Sequence, residues 1–178
     1  MELSIFKTNQ SEDVIALYTD VFSSSEGKDE GKIIGDLVSK LIVTTQPRDL
    51  IGYVAVYKDT IVGCIFFSRF IVPGNLSAFL LSPLAVATEV QRGGVGQRLI
   101  RYGLEQLRSQ SVDLVLTYGD PNFYSKTGFE KITVERVPAP YPLSQAIGWL
   151  GLSLTSDTVP YVNGETKCVE AFQNPNYW

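Results

Sequence analysis

The segment Gln91-Arg92-Gly93-Gly94-Val95-Gly96 constrains this chain more than any other. It follows an apolar run, Phe79 to Val86, and opens an amphipathic stretch, Val95 to Leu107, so it reads as a turn from a buried strand into a helix. Three glycines within four positions remove the Cβ atoms that would hold a ligand away from the backbone. A helix start adds unpaired N–H groups and roughly half a positive charge of dipole. Together these make an anion site, and a diphosphate suits it. A plain tight turn does not need so many glycines.

The rest of the composition narrows the setting. The 178 residues, 44% of them hydrophobic, are enough for one domain over 1–178 with a sizeable core. Net charge is −4 and the Lys and Arg residues form no run, which argues against nucleic acid as a partner and favours a small polar ligand. Met1 to Lys7 lacks a charged stretch followed by a long apolar one, so no export signal is visible. Cys64 and Cys168 have no metal-ligand spacing and read as buried, reduced thiols of a cytoplasmic protein. No metal is called for. Two stretches without charge, Phe70 to Thr88 and Val137 to Ser156, are broken by Pro73, Pro83, Pro138, Pro140 and Pro142, so neither is expected to span a membrane.

Periodicity orders the elements. Ser11 is placed to cap a helix with Val14, Ile15, Leu17, Tyr18, Val21 and Phe22 on its buried face. A polar loop, Ser23 to Gly31, is expected next, then a second amphipathic helix through Ile33, Ile34, Leu37, Val38 and Leu41. Tyr53 to Tyr57 and Ile61 to Phe67 flank Lys58-Asp59-Thr60 as a hairpin, and Leu76 to Val86 is a longer strand interrupted at Pro83. After the glycine turn and its helix come a short strand at Leu114-Val115-Leu116, a short helix from Pro121 to Lys126 ended by Gly128, and a sheet segment around Phe129 to Val134. Residues 138–178 read as loop-rich, with one last strand at Lys167 to Phe172.

Other glycine-loop chemistries fail on residues. A nucleotide-triphosphate loop needs Gly-Lys-Ser/Thr, absent after Gly94 and Gly96, and a dinucleotide fingerprint counted from Gly94 needs a glycine where Leu99 stands. The order Leu84-Ala85-Val86, then Gln91-Arg92-Gly93-Gly94-Val95-Gly96, then Phe123-Tyr124-Ser125-Lys126-Thr127-Gly128-Phe129 resembles the general-control-related N-acetyltransferase (GNAT) superfamily. Ser82-Pro83-Leu84-Ala85-Val86 with Gly119-Asp120-Pro121 is closer still to its YhbS-like branch of acetyltransferases. The similarity is strongest from Leu80 to Glu130.

The resemblance implies an α/β (α+β) fold: a central mixed, mostly antiparallel twisted sheet of about six or seven strands, flanked by helices and splayed at the strand before the glycine loop. It implies an enzyme that moves an acetyl or other acyl group from acetyl-coenzyme A to a primary amine of a small molecule or protein, in a direct ternary complex. The pantetheine arm would lie along Leu84, Ala85 and Val86. Gln91, Arg92, Gly93, Gly94, Val95, Gly96, Gln97 and Arg98, with Asn122, would hold the rest of the cofactor. Arg101 suits either a phosphate contact or a solvated helix face. Tyr124 matches the superfamily tyrosine that donates to the departing sulfur, and Glu30 matches an acidic position beside the acceptor.

The chain has no histidine, so any base must be a carboxylate or a water chain. Leu80 occupies the position where some relatives carry a strand glutamate, which leaves Glu30, Glu89 and Asp120, the last also suited to capping a helix. The acceptor side is expected from the first two helices and residues 138–162, where Tyr141, Trp149 and Tyr161 suit either an aromatic pocket or the core. The protein is expected to be a monomer or homodimer. A non-catalytic acyl-coenzyme A sensor is the alternative function.

Overall fold

The computed structural model describes residues 1–178. One seven-stranded sheet runs in the order β1-β2-β3-β4-β5-β7-β6. Its strands are β1 (Glu2–Ile5), β2 (Leu50–Tyr57), β3 (Thr60–Phe70), β4 (Ala78–Val86), β5 (Leu114–Tyr118), β6 (Glu130–Lys131) and β7 (Trp149–Ser153). Every neighbouring pair is antiparallel except β4 with β5, the two strands joined through the glycine turn and its helix. The helices are α1 (Ser11–Glu26), α2 (Lys28–Thr44), α3 (Val95–Ser109) and the short α4 (Pro121–Tyr124).

Alternation along β3 assigns the helices to opposite faces. Gly63 and Phe67 abut Val95, Leu99 and Gly103 of α3, whereas Phe66, one residue out of phase, stacks on Tyr18 of α1 at 6.2 Å. The core between these layers joins 43 buried residues into one cluster, and β3, β4 and β5 are buried along nearly their whole lengths. Trp149 of β7 is wholly buried and donates its indole N–H to Val137 O at 2.8 Å.

The hairpin turn needs only Lys58 and Asp59, both at positive φ (48° and 62°), and Thr60 already pairs with Tyr57. Pro83 does not break β4. Instead Ser82 and Pro83 together oppose Phe66 of β3, a bulge that absorbs the missing proline N–H.

Four further expectations are corrected. Ser11 is the first residue of α1 and donates its hydroxyl to Thr8 O, because a turn of 3-10 helix at Thr8–Gln10 precedes it. The expected loop from Ser23 to Gly31 is almost all helix, with Gly27 alone between α1 and α2. The sheet segment near Phe129 shrinks to Glu130–Lys131. Lys167 to Phe172 is not a strand: Lys167 makes one isolated bridge to Ile71, and Glu170–Phe172 is a 3-10 turn. Two strands were not anticipated, β1 and β7. No helix is long and apolar enough to cross a membrane.

Gly31 is present because α1 and α2 touch there: a Cβ on it would lie 2.6 Å from Thr19 O and 2.7 Å from Ser23 N. Main chain cannot swing aside as a side chain can. Gly31→Ala should therefore push the helices apart and cost about 1–3 kcal/mol, read as a lower midpoint in urea unfolding without a change of slope.

Candidate functional site

Pairing between β4 and β5 stops early. It runs from Ala78 opposite Leu114 to Leu81 opposite Thr117, where the Thr117 hydroxyl also donates to Leu81 O at 2.9 Å. From Ser82 to Val86, β4 keeps its β3 partner but has none on the other side. This leaves a strand edge with main-chain groups available for an extended ligand.

The glycine turn lies beyond that edge. Gly94 sits at φ 77°, the left-handed region, immediately before α3, and Arg92 is also at positive φ (63°). Gln91 ties the turn down by donating from its side-chain amide to Val86 O at 2.9 Å. The main-chain N–H groups of Arg92, Gly94, Val95, Gly96 and Gln97 donate to no main-chain carbonyl, while Arg98 N–H closes the first helical bond onto Gly94 O at 3.0 Å. Gly96 is buried, and a Cβ there would sit 3.2 Å from Phe123 and 3.5 Å from Leu84. A run of free amides in a notch that any side chain would narrow fits a diphosphate.

These features converge on a cavity of about 660 Å³ lined by Leu84, Val86, Gln91, Arg92, Gly94, Val95, Gly96, Gln97, Phe123 and Tyr124, with Val21 and Lys126. It contains two cations and no carboxylate. Ala85 is buried beneath this edge, Gly93 and Arg98 are exposed on the turn and first helical turn, and none of these lines the cavity. Asn122 does not line it either: its N–H is taken by the Asp120 carboxylate at 2.9 Å. Arg101 turns away, donating to Lys126 O at 2.9 Å. Val21 and Lys126 were not expected at this cavity, since a helix-face valine reads as core and nothing local marks this lysine as facing the turn.

Tyr124 is set by its neighbours. Asp120 caps α4 and its carbonyl receives Tyr124 N–H at 3.1 Å, while the ring meets Phe123 and Phe129 edge-on at 5.1 and 5.8 Å. Burial raises the pKa of its phenol; the Thr117 hydroxyl works against this and the Asp120 charge adds to it. Tyr124 is accordingly a proton carrier across the neutral range. Gly119 lies against the ring, where a Cβ would come 2.7 Å from Cε2.

A second cavity opens on the other side of that glycine. Its volume is about 690 Å³, and Glu26 and Glu30 line it together with Tyr118, Gly119, Asp120, Ser144, Gln145 and Gly148. It contains three carboxylates and no cation. The Tyr118 hydroxyl ties its rim together, accepting Gln145 N–H at 2.7 Å and lying 3.0 Å from Ser144 Oγ. Glu30 and Asp120 are thus brought together, whereas Glu89 lines a different cavity with Asp13, Asp20 and Asp59. The aromatic side chains expected here are elsewhere. Trp149 is in the core, Tyr141 leans on Trp178 at 6.3 Å, and Tyr161 is exposed with Arg136 stacked 4.3 Å from its ring. No group of three or more His, Cys, Asp and Glu is arranged to hold a metal ion.

Comparison with known proteins places this geometry. The family model for the Acetyltransferase (GNAT) domain matches residues 48–131, which includes the splayed strand, the glycine turn and Tyr124. The uncharacterised N-acetyltransferase YjhQ of Escherichia coli is 34% identical over 141 residues, 76% of this chain and 77% of the relative. The chain belongs to the GNAT acetyltransferase family. Another relative, the uncharacterised N-acetyltransferase YhbS of Escherichia coli, is 32% identical over 114 residues, 60% of this chain and 62% of that protein. The GNAT fold itself recurs in the crystal structure of Escherichia coli YhbS in complex with CoA, at a TM-score of 0.77 and 24% identity, covering 97% of this chain and 92% of that one. A GNAT acetyltransferase from Brucella melitensis in complex with acetyl-CoA superposes with a TM-score of 0.68 at 20% identity, over 96% of this chain and 97% of the other. The expected GNAT architecture is therefore the one found, with seven strands and the splay before the glycine turn.

Buried acids of high pKa give the fold a signature in alkali. Burial raises the pKa of Tyr18, Tyr53, Tyr124 and Cys64, and brings Cys168 to about 11. The folded chain therefore keeps protons that the unfolded chain releases near its ordinary values of 9.0 for thiols and 10.0 for phenols. That contribution to stability is fully present below about pH 9 and is lost as pH rises further. Urea midpoints should hold level through neutrality and fall above that value, and spectrophotometric titration should find three of the nine tyrosines ionising after the rest or only with unfolding.

Proposed function

We propose that this GNAT-family protein transfers an acetyl group from acetyl-coenzyme A to a primary amine that reaches the acidic cavity. The observation that carries this reading is the continuity of an unpaired strand edge, a turn of free amides and the Tyr124 phenol along one cavity wall. The same proposal takes the chain as one acyltransferase domain over 1–178, with residues 138–178 contributing the acceptor side.

The residues fit the donor in sections. Leu84 and Val86 would hold the pantetheine arm by strand-like pairing, and the amides of Gly94, Val95, Gly96 and Gln97 would hold the pyrophosphate with charge from Arg92 and Lys126. Gly93, Arg98 and Asn122 act here at most through the shape of the turn and the α4 start, and Ala85 through the strand that bears the edge. Bound in this way, the donor supplies a carbonyl carbon open to attack and a sulfur leaving group.

The protein's own residues supply the rest. Glu30 and Glu26 attract an ammonium group into the acceptor cavity, and Glu30 takes up its proton, directly or through water, so that the nitrogen is neutral when it attacks. The neutral nitrogen attacks the carbonyl carbon to form the carbon–nitrogen bond; as the carbon–sulfur bond breaks, Tyr124 Oη gives its proton to the sulfur, the extra proton on the nitrogen passes to water, and Tyr124 regains a proton from water. Both cysteines are buried with raised pKa values, so neither is a ready nucleophile, which supports direct transfer over a covalent acyl-enzyme.

Acetyl-coenzyme A at about 100 times its dissociation constant should stabilise the fold by about 2.7 kcal/mol, seen as a rise in Tm. Tyr124→Phe should lower kcat for acetyl transfer by about 10²- to 10⁴-fold with little change in that stabilisation. An unchanged kcat across pH would remove Tyr124 from the chemistry, and no stabilisation of the parent protein would remove the donor. Glu30→Gln should raise KM for the acceptor and leave KM for acetyl-coenzyme A alone, measured by thiol release against a panel of amines.

A further inference from the structure

Tyr18 is wholly buried, its ring held between Phe22 at 6.5 Å and Phe66 at 6.2 Å. A phenylalanine would fill that space equally well, so the hydroxyl calls for an explanation of its own. It lies 2.8 Å from Cys64 O on β3 and 2.8 Å from Pro83 O on β4, a donor shared by two carbonyls of adjacent strands. Pro83 is one of the two bulge residues that oppose Phe66, and Cys64 lies two residues before Phe66, paired with Ala85. A bulge at a proline disturbs the ladder on one side, and the lost β5 pairing removes it on the other. Buried carbonyls left there without a donor would each carry a desolvation cost. No other side chain of α1 hydrogen-bonds to the sheet: the Ser11 and Thr19 hydroxyls donate to Thr8 O and Ile15 O.

The bulge immediately precedes Leu84 and Val86, which line the donor cavity, and Val21 lines the same cavity from the next turn of α1. We propose that Tyr18 is a positioning residue for the acyl donor: by bridging Cys64 O and Pro83 O, its hydroxyl sets the course of the open β4 edge and its spacing from α1. The proposal rests on the donor site described above, but it concerns the strand and not the chemistry. Tyr18 touches neither cavity and takes no part in proton transfer.

The test compares Tyr18→Phe with Leu41→Ala, a cavity-forming change in the buried part of α2 that lines neither cavity. Both are studied at a temperature where melts show each variant folded. Tyr18→Phe should weaken coenzyme A binding about tenfold by calorimetry and raise KM for acetyl-coenzyme A by more than it lowers kcat. Leu41→Ala, although no more stable, should bind as the parent does. The amide NMR signals of Leu84, Ala85 and Val86 should move in the first variant and not in the second. Binding within about twofold of the parent, with those amides unmoved, would make Tyr18 a core residue and overturn the proposal. If the parent itself fails to bind coenzyme A, the donor reading falls, and the amide signals alone decide whether Tyr18 sets the strand. Should Tyr18→Phe not fold, 4-fluorophenylalanine at this position fills the space of the hydroxyl without donating; it should give the same loss of binding, and no loss would overturn the proposal.

Discussion

The pair Leu81 and Thr117 is the point on which the site depends. Up to it β4 and β5 share hydrogen bonds; past it they do not, and the Thr117 hydroxyl reinforces Leu81 O at the boundary. A central strand cannot normally leave its edge unpaired, because every buried N–H and C=O needs a partner. Here the obligation is met in two ways. A phenol from α1 covers carbonyls at the bulge, and the remaining edge faces a cavity where a ligand or water can meet it. Beyond the splay the chain leaves β4 at Val86, passes through a 3-10 turn at Thr88–Val90 and the glycine turn, and enters α3, which packs back on β2 and β3. A strand edge and a helix N-terminus therefore open onto one space.

Under the proposed function, proton chemistry has to work without histidine. The available groups divide by environment: phenols and thiols enclosed in the sheet are held protonated, while the carboxylates of the acceptor cavity stand at its partly open rim. Tyr124 belongs to the first class and so is suited to giving a proton rather than taking one. The division also separates the two sides of Gly119. The cavity at the glycine turn carries Arg92 and Lys126 with no carboxylate, and the acidic cavity carries Glu26, Glu30 and Asp120 with no cationic side chain. Such a gradient favours an anionic ligand on one side and a cation on the other, each repelled from the wrong cavity.

Much of this was legible in the sequence because it is written in local patterns. The glycine turn, the helix after it, the Lys58-Asp59 hairpin and the Gly128 stop each combine a periodicity with a residue that only one geometry suits. What was missed depends on contacts far along the chain. Gly27 and Gly31 read as loop residues, yet Gly31 is small because α1 presses on it, a reason invisible until both helices are placed. Trp149–Ser153 shows neither alternation nor length, because it is covered on both faces and enters the sheet between β5 and β6. Lys167 to Phe172 has the apolar content of a strand but finds one bridge partner only.

The site residues divide along the same line. Leu84, Val86, Gln91, Arg92, Gly94, Val95, Gly96, Gln97 and Tyr124 belong to the motifs that carry the resemblance, or adjoin them, and the fold gathers them. Glu30 reaches the acidic cavity only because α1 and α2 are joined by one residue; a loop from Ser23 to Gly31 would have left its position undefined. The aromatic residues of the last 40 positions were available for a pocket, but a chain segment with little regular structure needs anchors of its own. Trp149, Trp178 and Tyr141 supply them by packing on one another, at 6.0 and 6.3 Å between rings. That leaves the wall of the acidic cavity to Ser144, Gln145 and the Tyr118 hydroxyl, and under the proposed function recognition there falls to hydrogen bonds and charge rather than to stacking.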